Sequence, residues 1–461
     1  MKSTYPALPA TVTESLEKLT AALQNTLANG GPAEAVEREL VEALATVGRT
    51  TMTKYLESLD PDGADVLVDG QVYWQTVRAS QRYLTVFGSV SVERGVYRAE
   101  RNGPTVSPLE LKAGIVAGFW TPRAAKLAAL CVSDMTPYRA EQLFGELGMM
   151  SPSRSSLDRL PKTLNARWEA NRTAHEVRLR AEEKVPNEAV TVAVSLDGVM
   201  APMRSTRKAE QKAKTKAEGR PNKGPAGYQE VGCATLTFYD AVGARLATRR
   251  LGRMPEPHKA TLKQQLRDEL QHVLEQRPEL VVVAVADGAP DNWSYLETLT
   301  HDYQVVDFYH AAEHLKRALD VGMGASAIET QRKFEQLRKT LKEKPNGVDL
   351  VIRALKRLRH KPTGDARDWR TGVSYFERHR QRMNYADLEA MGLPIGSGVI
   401  EGTCRSLASD RLKRAGMRWD EAGGQAVLNL RAWNQSDRFD AAWRILHDGY
   451  TKNVAEIPLA A

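Results

Sequence analysis

Residues 280–288 read LVVVAVADG, in which seven consecutive apolar residues are followed by Asp287 and Gly288. A short, uniformly apolar run of this kind predicts a strand buried on both faces, and the Asp-Gly pair predicts a turn that ends it. Residues 190–198, VTVAVSLDG, repeat the pattern with Asp197 and Gly198. The two segments predict the centre of a buried sheet.

The chain on either side of these two strands completes an α/β pattern. Further strands are predicted at Val231–Tyr239, Arg245–Gly252 and Val305–Phe308, and helices at Lys259–Glu275, at Asn292–Leu299 and from Ala311. Three strands in a meander followed by alternating helices and strands predict a mixed sheet with helices on its faces. We assign this α/β core to residues 189–320 and 391–440.

The rest of the chain is predicted to be mainly helical. Residues 1–70 are acidic, with a net charge of −6, and carry leucines at helical spacing that indicate an assembly region. Residues 71–188 combine a β-hairpin around Gly88 with a helix-turn-helix-like pair near Gly148. We assign them to DNA binding, and the alternative is that the pair is an ordinary case of helical packing. Residues 321–390 form a basic helical insertion, whose predicted buried stripe is Leu337, Leu341, Ile352, Leu355 and Leu358, and residues 441–461 are assigned as a C-terminal tail.

Composition excludes several classes of protein. The 461 residues carry 65 Lys+Arg and 57 Asp+Glu, a net charge of +8, and 42% are hydrophobic, so the chain is neither disordered nor collagen-like. It has no apolar run long enough to span a membrane, and its start lacks the apolar block of a signal peptide. Cys131, Cys233 and Cys404 are too far apart for a disulfide framework or a CxxC zinc module, which favours a reducing cytoplasm.

Three acidic residues are the candidate catalytic and metal-binding groups. Asp197 and Asp287 are predicted at the carboxyl ends of strands, where open α/β sheets place their sites, and Glu401 lies in the first turn of a later helix. Three neighbouring carboxylates repel one another unless a cation is bound, and all-oxygen ligands favour Mg²⁺ or Mn²⁺. Taken singly, each has an alternative: Asp-Gly is a common turn, and a helix N-terminus stabilises any glutamate.

Five stretches in a fixed order resemble a known family. The stretches are SLDGVM (195–200), VADGAPDNW (285–293), VVDFYHAAEHL (305–315), PIGSGVIEG (394–402) and RLKRAGMRWD (411–420). Together they are similar to the ISKra-type insertion-sequence transposases over most of residues 190–435, with weaker similarity in the hairpin at 82–98. The resemblance implies an RNase H-like catalytic core with an acidic DDE triad on Asp197, Asp287 and Glu401.

One segment departs from the family pattern. Many relatives carry a cysteine pair just after the hairpin, whereas residues 98–110 here read RAERNGPTVSPLE. The family's zinc is therefore not expected in this chain.

Two basic segments supply the candidate DNA contacts. Residues 204–223 hold eight Lys/Arg and two Glu beside Asp197, and predict either a basic loop that clamps DNA or a solvated insertion. The basic residues after Glu401 return repeatedly to one side of a helix, which fits phosphate contacts or solvation equally well. The candidates are Arg204, Lys208, Lys212, Lys214, Lys216, Arg405, Arg411, Lys413, Arg414 and Arg418.

Four further residues near the acids each have two interpretations. His310 is a candidate for contact with the scissile phosphate, or it caps a helix. Asp291 is a spare acid or a helix N-cap, and Asp307 is the natural substitute if one member of the triad is misassigned. Trp419 stacks on a flipped base or, more simply, packs in the core.

The expected function is metal-dependent DNA transposition, with two Mg²⁺ or Mn²⁺ ions and Asp197 bridging both. The expected partners are double-stranded transposon ends and target DNA, bound by a homodimer or a higher assembly associated with a prokaryotic nucleoid. Two alternatives stay open. One is an RNase H-like nuclease that does not join strands, and the other is a DNA-binding regulator derived from a transposase.

Overall fold

The computed structural model describes residues 8–61, 63–204, 214–215, 217–219, 227–323, 328–358 and 366–457, without the side chains of 366–368. The chain divides into two compact units. One comprises the chain up to Leu179 and again from Phe439, and the other comprises Arg180–Arg438. No described helix is long and apolar enough to cross a membrane.

The first unit begins with two helices, α1 (Ala10–Asn29) and α2 (Ala33–Glu57). The break at Gly30-Gly31-Pro32 is where the sequence predicts it. Among the described residues, however, the pair buries only Val12, Ala45 and Leu56. Leucines of the predicted apolar stripe stay exposed within the chain, namely Leu16, Leu23, Leu27 and Leu44.

An antiparallel sheet follows in the order β3-β2-β1-β9. The predicted hairpin is confirmed as β2 (Gln71–Thr85) and β3 (Gly88–Arg98), and it is longer than the sequence pattern suggests. The strand β1 (Val66–Val68) pairs on its other side with β9 (Val454–Glu456), from the end of the chain.

The remaining helices of this unit include the predicted helix-turn-helix-like pair, which the structure has as α5 and α6. Glu141 of the first helix of that pair accepts a hydrogen bond from the Arg154 backbone N–H of the second (2.8 Å), which fixes the start of the second helix. The bounds are α3 (Pro108–Ala113), α4 (Pro122–Asp134), α5 (Pro137–Leu147), α6 (Arg154–Ala170), α7 (Arg172–Ala181, which continues into the second unit) and, near the end of the chain, Phe439–Asp448.

The second unit is built on a five-stranded mixed sheet in the order β6-β5-β4-β7-β8. The strands β4, β5 and β6 are antiparallel neighbours, whereas β7 and β8 run parallel to β4. This confirms the predicted meander followed by parallel strands. The strands are β4 (Thr191–Pro202), β5 (Tyr228–Tyr239), β6 (Arg245–Arg253), β7 (Val281–Ala286) and β8 (Tyr303–Val306).

Helices surround this sheet and form the basic insertion. The helices are α8 (Ala260–Gln276), α9 (Pro290–Leu296), α10 (Phe308–Met323), α11 (Ile328–Glu343), α12 (Gly347–Arg357), α13 (Ala366–Arg378), α14 (Tyr385–Ala390), α15 (Gly398–Thr403), a π-helical turn (Cys404–Ser409), α16 (Asp410–Leu412) and α17 (Glu421–Gln435), with short 3₁₀ turns at Pro257–Lys259 and Arg380–Arg382; the terminal helix Phe439–Asp448 of the first unit is α18.

The apolar stripe predicted for the basic insertion faces the main core. Leu337, Leu341, Ile352 and Leu355 are buried in the same hydrophobic cluster as Val283 and Val285 of β7, and Leu358 packs partly buried against it. The basic side chains therefore lie on helices that pack against the sheet, because each helix turns its apolar stripe to the core and its charged side chains to the solvent.

Candidate active site

The acidic candidates lie at one end of the parallel part of the sheet. The β4–β7 pairing runs to Val194 opposite Ala284, and the β7–β8 pairing runs to Ala286 opposite Val306. If these two pairings are continued in the same register, Asp197 lies opposite Asp287 and Asp287 lies opposite Asp307. Parallel strands thus deliver three acids to one edge, as expected for the carboxyl ends of an α/β sheet.

Asp197 does not close its strand as the sequence predicts. The strand β4 continues to Pro202 because β5 pairs with it along its full length, with Cys233 opposite Asp197. The turn interpretation of Asp197-Gly198 is therefore wrong. Asp197 lies where β4 has left β7 but is still held by β5, which fixes the backbone on one side and leaves the other side open. Burial and the charge of Asp287 raise the pKa of Asp197.

Asp287 is held in a tight turn directly after β7. Its Oδ1 accepts hydrogen bonds from the Ala289 backbone N–H (3.1 Å) and from Asn292 Nδ2 (3.3 Å). Its backbone carbonyl accepts a hydrogen bond from Trp293 Nε1 (2.6 Å). Oδ2 takes no part in these three bonds. The predicted end of the strand at Asp287 is confirmed, and the turn orients the carboxylate before any ligand binds.

Glu401 reaches the site from α15, and its neighbours tie that helix to the strands. Ser397 Oγ donates a hydrogen bond to Glu401 Oε1 (2.8 Å), while the Ser397 backbone N–H donates to Asp307 Oδ2. Cys404, one turn after Glu401, lies with Sγ 3.6 Å from Asp197 Oδ2. The Glu401 helix is thereby connected both to Asp197 on β4 and to Asp307 after β8. The roles of Ser397 and Cys404 are absent from the sequence-based prediction.

His310 lies between Asp307 and Glu401. Its Nδ1 is 3.5 Å from Asp307 Oδ1 and 3.4 Å from Glu401 Oε1. A hydrogen bond to Asp307, with the charges of Asp307, Glu401 and Asp287, raises the pKa of His310 to about 9 despite partial burial. The structure therefore brings His310 against Glu401 of the predicted triad and against Asp307.

Asp307 is fully buried and serves as an anchor. Burial alone would raise its pKa, but hydrogen bonds from His310 and Ser397 outweigh burial and lower it to about 2. Both carboxylate oxygens accept backbone N–H groups, one from His310 (2.7 Å) and one from Ser397. Asp307 thus holds two neighbours of the site in place, and its ligand atoms also lie within 4.8 Å of those of His310 and Glu401. Its role as the substitute triad member stays a prediction.

One group of described side chains could hold a cation. Ligand atoms of Asp307, His310 and Glu401 all lie within 4.8 Å of one another. Of the predicted triad, only Glu401 belongs to this group. Burial, together with the charge of Asp287, raises the pKa of Asp197, and carboxylates under such strain are stabilised by a bound cation.

Comparison with known proteins adds one distant likeness. No family model matches this chain, and no curated protein matches it. Among solved structures it is similar to a Drosophila P element transposase strand transfer complex, with 12% identity and a TM-score of 0.26, over 72% of this chain and 81% of that chain. The site is therefore interpreted from its own geometry.

The candidate DNA contacts that the structure describes are mostly exposed. Arg405 is 83% exposed at its side chain, and Lys214, Lys413, Arg414 and Arg418 are exposed as well. The predicted single helical face is wrong, because the helix ends at Leu412 and the last three lie beyond it. Lys208, Lys212 and Lys216 lie outside the described residues.

Arg411 departs from the prediction, because the structure buries it. It is 3% exposed, and its guanidinium lies 5.1 Å from the centre of the Trp419 ring. Trp419 in turn donates from Nε1 to the Leu412 carbonyl (3.0 Å) and packs partly buried against a core cluster, which supports its packing interpretation. We therefore leave Arg411 out of the DNA contacts.

Arg204 connects the two basic segments. Its backbone N–H donates to the Trp419 carbonyl (2.7 Å), and its Nε donates to the Arg418 carbonyl (3.1 Å). Arg204, the described start of the 204–223 segment, is thereby held against the 411–420 segment. This contact brings together two stretches that are far apart in the sequence.

Proposed function

We propose that this protein is a metal-dependent DNA transposase of the DDE type, similar to the ISKra-type enzymes, with an RNase H-like core. Asp197, Asp287 and Glu401 are its catalytic residues. The observation that carries the proposal is the connection of the Glu401 helix to Asp197 on β4 and to the start of α10, which follows β8. It runs through the Cys404–Asp197 contact at 3.6 Å and the contact of His310 with Glu401 at 3.4 Å.

The order of the sheet supports the same core. Three antiparallel strands followed by two parallel ones place β4, the strand of the first acid, at the centre, with β7 beside it. A helix after the last strand then returns the glutamate to this edge. This is the sequence of strand, strand and helix that the family resemblance implies.

In the proposed reaction, Asp197, Asp287 and Glu401 would hold Mg²⁺, which would supply charge neutralisation and activation of the attacking oxygen. Ser397 and Cys404 contact two of these carboxylates, those of Glu401 and Asp197. Water attacks the phosphodiester at each end of the element, which breaks the bond to the 3′ oxygen and leaves a 3′-hydroxyl. This hydroxyl then attacks a target phosphodiester, and a target 3′-hydroxyl leaves.

The exposed basic residues bind the DNA backbone in this scheme. Arg204, Lys214, Arg405, Lys413, Arg414 and Arg418 neutralise phosphate charge, and Lys208, Lys212 and Lys216 are proposed to do the same. The expected assembly is at least a dimer, because two ends must be cut and joined together.

The test uses DNA that flanks the gene, carrying both ends of the element, incubated in Mg²⁺. We expect Asp197→Asn to abolish cleavage, because an amide no longer balances the metal charge, while its affinity for the same DNA stays within about threefold, since phosphate contacts dominate binding. The readouts are strand nicking on a denaturing gel and a filter-binding titration.

The matched control is Asp291→Asn, because Asp291 is exposed in the first turn of α9, four residues beyond Asp287. This variant should cut like the wild type. Cleavage retained by Asp197→Asn would refute the proposal. If the wild type cuts DNA but does not join pre-cut ends to target DNA, the protein is a nuclease without strand transfer. If the wild type binds the DNA but never nicks it, the protein is a DNA-binding regulator.

A further inference from the structure

A cavity of about 810 Å³ opens beside Asp287. Its walls come from α10, α13 and the turn after β7, all within the second unit. None of the residues that α13 contributes belongs to the predicted triad. The residues that matter here are Asp287, His310, His314, Arg370, Tyr375 and Arg378.

Two glycines allow the basic insertion to reach the catalytic turn. A side chain on Gly288 would collide with the ring of Tyr375, and one on Gly372 would come within 2.8 Å of Ala318 Cβ. The α13 helix therefore packs closely on α10 and on the Asp287 turn. Tyr375 also stacks on His314, with ring centres 3.8 Å apart and planes 14° apart. These close contacts form a rigid floor beneath the cavity.

The lining groups suit an anion that also accepts hydrogen bonds. Arg370 and Arg378 are exposed at the wall, and eight residues of helix separate them by about 12 Å. Tyr375 lines the cavity and is 7% exposed, and its buried hydroxyl has no hydrogen-bond partner among the described residues. A buried hydroxyl without a partner is costly, so a bound ligand would supply the missing bond.

The volume of the cavity limits the size of the ligand that it can hold. It lies in the range that holds one small molecule, about 300–1,000 Å³. A DNA duplex, whose major groove alone is about 12 Å wide, is too broad to enter. One nucleotide fits if it is unpaired, and its phosphates would face the two arginines.

We propose that this cavity takes one unpaired nucleotide of DNA, drawn out of the duplex next to the scissile phosphate. The inference rests on the proposed function, because it places DNA at Asp287. Arg370 and Arg378 bind the phosphates on either side of this nucleotide, and Tyr375 donates a hydrogen bond to it. Drawing a base out of the duplex costs a few kcal/mol and least at a mismatch.

The experiment compares two duplexes of one sequence, one fully paired and one with a single mismatched pair, bound in competition. It uses the full chain carrying Asp197→Asn, so that no cutting interferes. We expect about tenfold tighter binding of the mismatched duplex, since the cost of unpairing is already met. The variant R370A/R378A in the same background should bind both duplexes equally, and Tyr375→Phe should lose part of the preference.

The control is R332A/R357A, which removes the same charge from exposed positions of the same insertion, on α11 and α12. It should weaken both duplexes alike and keep the preference. An equal affinity of the parent for both duplexes, or a preference that survives R370A/R378A in protein with an unchanged melting temperature, would overturn the proposal.

The mismatch experiment and the cleavage experiment can fail independently of each other. If Asp197→Asn still cuts DNA, the catalytic assignment fails, whatever the mismatch preference. If cutting depends on Asp197 and the mismatch preference is absent, only the nucleotide cavity fails.

Discussion

At the scale of single residues, Gly288 sets how closely the basic insertion approaches the catalytic turn. Any side chain there would overlap the ring of Tyr375, which itself stacks on His314. We expect Gly288→Ala to lower the free energy of unfolding by about 1–3 kcal/mol, because overpacking forces rotamer and backbone shifts. Urea unfolding followed by fluorescence measures the change.

The control for this substitution is Gly145→Ala. Gly145 lies in α5, and a methyl group there would meet nothing within 4 Å. Alanine favours a helix over glycine by about 1 kcal/mol, so this variant should be as stable as the wild type or more so. Equal stability of Gly288→Ala and the wild type would mean that α13 adjusts freely over the turn.

Asp197 and Asp287 could be identified from the sequence because each follows a short apolar run. Arg411 and Cys404 could not be assigned in the same way. From its spacing, Arg411 is predicted as a DNA contact like its exposed neighbours. In the structure it is buried, because it packs against Trp419. Cys404 approaches Asp197 across more than two hundred residues of chain, and no local pattern indicates such a contact.

At the scale of elements, a buried ion network joins β6 to α8 and to Arg438, three residues beyond the end of α17. Glu269 of α8 accepts hydrogen bonds from Arg249 of β6 (3.2 Å) and from Arg438 (2.7 Å), and Arg438 also pairs with Glu183. All these side chains are mostly buried. Removal of one partner from such a network leaves a buried charge uncompensated.

We therefore expect Glu269→Gln to cost about 3–5 kcal/mol in the free energy of unfolding at neutral pH. Burial alone would raise the pKa of Glu269, but the two arginines lower it overall. A lowered pKa stabilises the fold above the unfolded value of about 4.3 and loses that effect as the pH falls. The gap between variant and wild type should thus narrow below about pH 4, measured by urea unfolding across pH.

Glu275→Gln is the matched control, because Glu275 lies on the same helix with 61% of its side chain exposed. It should change stability by no more than about 0.5 kcal/mol. A Glu269→Gln variant that matched this control at pH 7 would contradict the assigned importance of the network.

The strand order and most element bounds follow from alternating apolar runs and turn residues. The length of β4 does not. Its apolar run ends at Leu196, yet pairing with β5 carries the strand through Asp197-Gly198 to Pro202. Local composition predicts where burial ends, whereas the hydrogen bonds of a neighbouring strand decide where the strand ends.

At the scale of the whole molecule, the exposed leucines of α1 support the proposed assembly. Leu16, Leu23 and Leu27 lie on one face of the helix and are 36%, 38% and 85% exposed. We expect light scattering to give at least twice the 51.1 kDa chain mass, and L23E/L27E to reduce it to one chain, because buried glutamates oppose association.

Leu246→Glu is the control for these substitutions. Leu246 is as exposed as Leu23, at 38%, but it lies on β6 in the other unit. It should leave the mass unchanged. A wild-type protein that is strictly monomeric, both free and with end DNA, would refute the assembly role of these helices.

Pairing of β9 with β1 has a consequence for synthesis. The β9 strand leaves the ribosome roughly 390 residues after β1, which takes some tens of seconds at about 5–20 residues per second. Every strand and helix of the acid-bearing unit has emerged by then. The unit that starts the chain is thus the last to close its sheet, and a nascent chain released before Val454 would carry all three acids but an open strand edge at Val66–Val68.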